Sequence, residues 1–115
     1  MRRTPERLQD ILDAIEAIQR YTHQGKSAFE NQELIQVWVL HHLAIIGEAV
    51  NALPAELLEK KPEMPWAQII GLRNRLIHEY FRIDPEIIWS IATEDLPPLQ
   101  IVISRMLVEI DSRLS

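Results

Sequence analysis

Three observations predict an all-α fold, a bundle of four or five helices in one domain covering residues 1–115. Apolar residues recur at three- and four-residue steps along most of the chain. The prolines and Gly25 fall between those runs or at their starts. No stretch alternates with the two-residue period of a strand, and no hairpin dipeptide occurs.

The first helix is predicted from Pro5 to Thr22. Thr4 is a favourable N-cap and Pro5 suits the first helical position. Leu8, Ile11, Leu12, Ile15, Ile18 and Tyr21 share one face, and Gly25 ends the segment. The second helix is predicted from Ser27, where Ser27-x-x-Glu30 has the form of a capping box, to about Leu53 before Pro54. Trp38, Leu40, Leu43, Ile45, Ile46 and Val50 make it apolar on almost every side, as expected of a central helix. Ala44, Gly47 and Ala49 would let a neighbour come close. A loop from Pro54 to Met64, with one helical turn at 56–58, leads to a third helix from Pro65 to Phe81. Asp84-Pro85 opens a short helix to Thr93, and Asp95 with Pro97-Pro98 opens the last, which runs to Arg113.

Composition narrows the chemistry. The chain has 115 residues, 47% of them apolar, enough for one core. A core of that size is often completed by a second subunit. There are no cysteines, which excludes disulfides, zinc-thiolate sites and cysteine nucleophiles. The four histidines lack the spacing of a zinc protease, so no metal site and no cofactor is expected. The start, Met-Arg-Arg-Thr-Pro, has no secretory signal, and the apolar stretch Val37–Val50 is expected to be too short and too polar to span a bilayer. A cytoplasmic protein with no membrane partner is the expectation. The net charge of −5 disfavours a general nucleic-acid coat protein. Arg73, Arg75, His78 and Arg82 nevertheless fall within ten residues, which reads either as a basic groove or as an ordinary solvated surface.

The third helix is the informative one. At roughly 100° per residue, Trp66, Ile69, Ile70, Leu76, Ile77 and Tyr80 lie within about 60° of Arg73. Arg73 thus stands in the middle of an apolar stripe, with Asn74 and His78 about 40° from each other at its edge and Arg75 and Glu79 pointing away. An unpaired buried charge costs several kcal/mol, so the arginine needs a reason. It pairs with a carboxylate, Glu48 being the obvious one, or it faces an anion beside Asn74 and His78. Residue chemistry alone leaves both readings open. His41 and Glu48 share one side of the second helix and read more simply as a polar pair than as catalytic groups. Trp38, Trp66 and Trp89 read as core rather than base-stacking residues.

The run Arg73-Asn74-Arg75-Leu76-Ile77-His78-Glu79-Tyr80 fits Arg-x4-His-x-Tyr. It resembles the HEPN superfamily (higher eukaryotes and prokaryotes nucleotide-binding), and within it the HepT-like toxins. Ile45-Ile46-Gly47-Glu48-Ala49, Met64-Pro65-Trp66, Ile83-Asp84 and Trp89 strengthen the likeness, which spans residues 5–113. The family often has an arginine where His41 stands here.

The resemblance implies a HEPN-type bundle forming a homodimer, and a metal-independent endoribonuclease acting on RNA rather than DNA. Arg73 would bind the phosphate and the transition state, His78 would act as acid or base, and Asn74 would orient. Glu48, His41 and Arg75 would be supporting polar groups. It also implies a toxin of a toxin–antitoxin pair, whose partner is a minimal nucleotidyltransferase antitoxin that adenylylates Tyr80. The competing expectations are a module that holds nucleotide or RNA without cutting it, and a docking or substrate-binding subunit of a nucleotidyltransferase.

Overall fold

A computed structural model describes residues 3–79 and 83–114. Among these residues the chain is helical throughout its regular structure. The elements are α1 (Thr4–Thr22), α2 (Lys26–Asn31), α3 (Glu33–Asn51), α4 (Ala55–Glu59), α5 (Trp66–His78), α6 (Pro85–Ser90), a π-helical turn (Ile91–Asp95) and α7 (Leu96–Leu114). The expected bundle is present: α1 packs on α3 and α7, and α5 packs on α3. Leu8, Ile11, Ile15, Ile18, Val39, Leu43, Ile46, Leu99, Ile103 and Met106 join in one core. These are the positions that the helical period places inward.

Several boundaries differ from the sequence expectation. Arg3, not Thr4, stands at the N-cap of α1, and no side chain caps that end. The expected second helix is two. Gln32 takes an extended conformation (φ −123°, ψ 102°) and separates α2 from α3. The Gln36 amide offsets part of this break by donating to the Phe29 carbonyl at 2.9 Å. The bend lets Phe29 enter the core and meet Trp89 at 5.4 Å. Ser27 does not form the capping box. The helix starts after Gly25, whose φ of 100° is readily available to glycine.

Asp84 caps α6 as expected, its Oδ1 accepting from the Glu86 N–H at 2.9 Å. The expected stop before Pro97 is absent, because α6 runs into α7 through the π-helical turn. Two consecutive prolines can donate no helical hydrogen bonds to the preceding turn, so a wider turn there forfeits little.

Among the described residues, α3 is the one helix long and apolar enough, by length and composition, to cross a membrane. The stretch Val37–Val50, expected to be too short and too polar to span a bilayer, is part of this longer helix, which starts at Glu33. In the bundle, α3 is the central helix, lying between α1 and α5.

Candidate nuclease site

Helix α5 carries the motif. Pro65 precedes it, and the Trp66 indole N–H pins its start by donating to the carbonyls of Lys61 (2.9 Å) and Leu58 (3.0 Å). The helix ends at His78, short of the expected Phe81, and Glu79 turns the chain (φ −128°, ψ 28°). Tyr80 and Phe81 lie outside the described residues.

Arg73 meets α3 at Gly47. A Cβ at position 47 would stand 2.5 Å from the Arg73 Cβ and 3.1 Å from the Ile69 carbonyl oxygen. Only a residue without a side chain allows this approach, so Gly47 sets the α3–α5 distance and places the arginine in the seam. Arg73 is half-buried, as its central place in the apolar stripe predicted. Its Nη1 donates to Asn74 Oδ1 at 3.2 Å, and its Nε is buried without a hydrogen-bond partner.

The pairing of Arg73 with Glu48, one of the two readings that residue chemistry leaves open, is not found. Glu48 is exposed, and no ion pair joins it to Arg73 among the described residues. The reason is angular: Gly47 faces α5, so Glu48 points about 100° away. His41 is also exposed and has its ring against His42, with no hydrogen bond to Glu48. Asn74 and His78 are exposed. Arg75 points elsewhere, with its Nε 3.9 Å from Glu79 Oε2.

The two flanks of the α3–α5 seam differ in character. On one side lies a mostly apolar cleft of about 680 Å³, to which Leu43, Ile46, Ile69, Leu72, Ile91 and Leu99 contribute. Arg75 reaches its rim, but Arg73, Asn74 and His78 do not line it. Rotating from the Gly47–Arg73 contact away from the cleft leads to Glu48 and His41 on α3, and to Ile70 and Asn74 on α5. Sequence reading missed the cleft. Its lining comes from segments far apart in the chain, so no local pattern marks it.

The arrangement offers a guanidinium that pairs with no carboxylate among the described residues, an amide that holds it, and an exposed imidazole about 7.5 Å further along the same helix. An unneutralised, partly desolvated cation attracts an arriving phosphate more strongly than a solvated one. No three His, Asp or Glu side chains gather into a metal-ligand set among the described residues.

The family model for HepT-like ribonucleases (Ribonuclease HepT-like) matches residues 11–106. The chain belongs to the HepT-like ribonuclease family. A protein of Methanocaldococcus jannaschii named "Putative RNase" is 38% identical over 94 residues, covering 81% of this chain and 86% of that one. The "Probable ribonuclease HepT" of Thermococcus cleftensis is 36% identical over 96 residues, covering 81% and 86%. A second M. jannaschii protein, "Gamma-glutamylcyclotransferase and putative RNase", is 34% identical over 105 residues. These cover 90% of this chain and 47% of that longer one. No solved structure matches the chain significantly. The HepT-like family model thus covers α3 and α5, the two helices that form the seam.

Proposed function

We propose that this chain is a metal-independent endoribonuclease whose Arg73, Asn74 and His78 form half of a shared catalytic cleft. The single observation that carries this reading is the half-buried Arg73 guanidinium, held by its neighbour Asn74 and paired with no carboxylate among the described residues. Membership of a ribonuclease family supplies the class of substrate.

The reaction needs no external nucleophile. The RNA 2′-hydroxyl attacks the adjacent phosphorus as a base removes its proton. The bond to the 5′-oxygen breaks, and an acid protonates that oxygen. The products are a 2′,3′-cyclic phosphate and a 5′-hydroxyl. An imidazole suits either proton transfer near neutral pH. Arg73 stabilises the extra negative charge on the phosphoryl oxygens in the transition state. Each chain supplies one such histidine, and a two-fold homodimer supplies two facing sets. His41 and Glu48 flank the same side of the seam and act as supporting polar groups.

In the cell we assign the chain to the cytoplasm, as a toxin held in check by a nucleotidyltransferase antitoxin. Transfer of an adenylyl group from ATP to the Tyr80 hydroxyl, with release of pyrophosphate, would add a bulky anion to the motif, opposing the positive charge of its arginine.

The test uses the purified chain and single-stranded RNA in EDTA. Cleavage giving 2′,3′-cyclic phosphate ends, lost in His78→Ala and Arg73→Ala while both variants stay folded, is the expected result. A strict requirement for added divalent metal, or cleavage indifferent to both substitutions, overturns the mechanism. Co-expression with the partner should add the mass of one adenylyl group to Tyr80 and to no other residue. Toxicity on induced expression, lost with either substitution, tests the biological role.

A further inference from the structure

A chain of four rings runs from α1 to α3, with Tyr21, Trp38 and His42 partly buried and His41 exposed. Tyr21 meets Trp38 edge-on with centroids 5.3 Å apart, and Trp38 lies 4.4 Å from His42. His42 in turn meets His41 at 5.0 Å, nearly perpendicular. Two of the rings are fixed through the backbone. The Trp38 indole N–H donates to the Ala17 carbonyl at 2.8 Å, and His42 Nδ1 lies 2.8 Å from the Trp38 carbonyl. None of the four is fully buried, and His41 is exposed. The Phe29–Trp89 pair is different, since Phe29 is sealed in the core.

The strip starts beside the proposed catalytic face. Measured around α3 from Gly47, Glu48 stands at about 100°, His41 at about 120° and Trp38 at about 180°. His41 lies about 9 Å along the helix axis from the level of Gly47 and Arg73. The strip therefore leads from the Glu48 side of the seam outward to α1.

We propose that Tyr21, Trp38, His42 and His41 form a stacking platform for the unpaired bases of single-stranded RNA next to the scissile phosphate. The proposal rests on the ribonuclease reading and adds how the substrate is held. Stacking on aromatic rings tolerates any base, because every base has a π face. It also solves a problem of charge. A chain with net charge −5 has little general attraction for a polyanion, so ring contacts must supply affinity that a basic groove would otherwise give. Rings already locked in place lose little freedom when a base arrives. A duplex, whose bases stay stacked on each other, cannot use them.

The experiment measures cleavage and binding separately. Cleavage of a single-stranded oligoadenylate is followed in the parent, Trp38→Leu and Tyr21→Leu. Circular dichroism checks that each variant is folded, and two substitutions on different helices guard against one failing to fold. The expected result is a KM raised about tenfold in each, with kcat within about twofold and the difference persisting at high salt. Binding is followed by tryptophan fluorescence in the His78→Ala background, which leaves the RNA intact. The single strand should quench the signal, an equal-length duplex should not, and Trp38→Phe should remove most of the quenching.

Unchanged KM and no quenching at Trp38, in a protein that still cleaves RNA, overturns the platform and leaves the nuclease standing. Quenching at Trp38 without cleavage by the parent overturns the nuclease and keeps the platform. Neither signal overturns both.

Discussion

Helix α1 sends Leu8, Ile11, Ile15 and Ile18 into the core with no exposure, whereas α5 buries only Leu76, still 5% exposed, among its described side chains. Helix α1 is held by α3 and α7, whereas α5 rests on α3 and borders the apolar cleft along one flank of that contact. Both have amphipathic patterns, so hydrophobic period alone does not distinguish them. The difference lies in what occupies the apolar stripe: α1 fills it with aliphatic side chains, and α5 places Arg73 in its centre. A helix that gives up core contacts for a charged group is the less firmly held element.

The sharpest way to break this contrast is at the motif. His78→Ala should lower the rate of RNA cleavage by about 10²–10⁴-fold in a gel assay, without lowering the thermal midpoint, because His78 is exposed. The scaffold helix should answer in the opposite way. Ile15→Ala should cost about 2–5 kcal/mol in urea unfolding, through the cavity left in the core. Activity per folded molecule should stay the same. At the contact between the helices, Gly47→Ala should cost about 1–3 kcal/mol in the same measurement, because the new Cβ must push Arg73 away. Activity should fall with it, since the displaced residue is the proposed phosphate binder. Arg75→Ala should change both stability and cleavage only slightly, within about 0.5 kcal/mol, as an exposed residue outside the seam. A large loss of cleavage there would move the proposed site toward the apolar cleft.

The smallest effect belongs to Lys26. The Glu86 carboxylate accepts a hydrogen bond from it and raises its pKa, with Glu30 adding to the attraction. A raised lysine pKa contributes stability that is present at neutral pH and is lost as pH climbs through the raised value. The pair is exposed. The thermal midpoint should therefore be flat from neutral to mildly alkaline pH, and Lys26→Ala should leave it unchanged within error.

Helix positions and the inward faces were legible because both follow from spacing along the chain. Leu8, Ile11, Ile15 and Ile18 form a pattern whatever packs on them. Asp84-Pro85 was legible as a helix start for the same reason, since the cap is a contact two residues away. The break at Gln32 was not legible. No breaker residue marks it, and it becomes favourable through the entry of Phe29 into the core and a hydrogen bond from Gln36. The π-helical turn before Pro97 was missed because two prolines ordinarily signal a stop.

The sequence by itself determined the class of fold, the family and the side chains proposed to do the chemistry, because periodicity and motif spacing are properties of the chain alone. Only the tertiary structure decided how Arg73 is satisfied. Glu48 and Gly47 are neighbours in sequence, but a helix turns about 100° between them, and packing selected the glycine to face α5. Among the described residues, that one rotation left the carboxylate in solvent and the guanidinium held by Asn74 alone, with its Nε unpartnered.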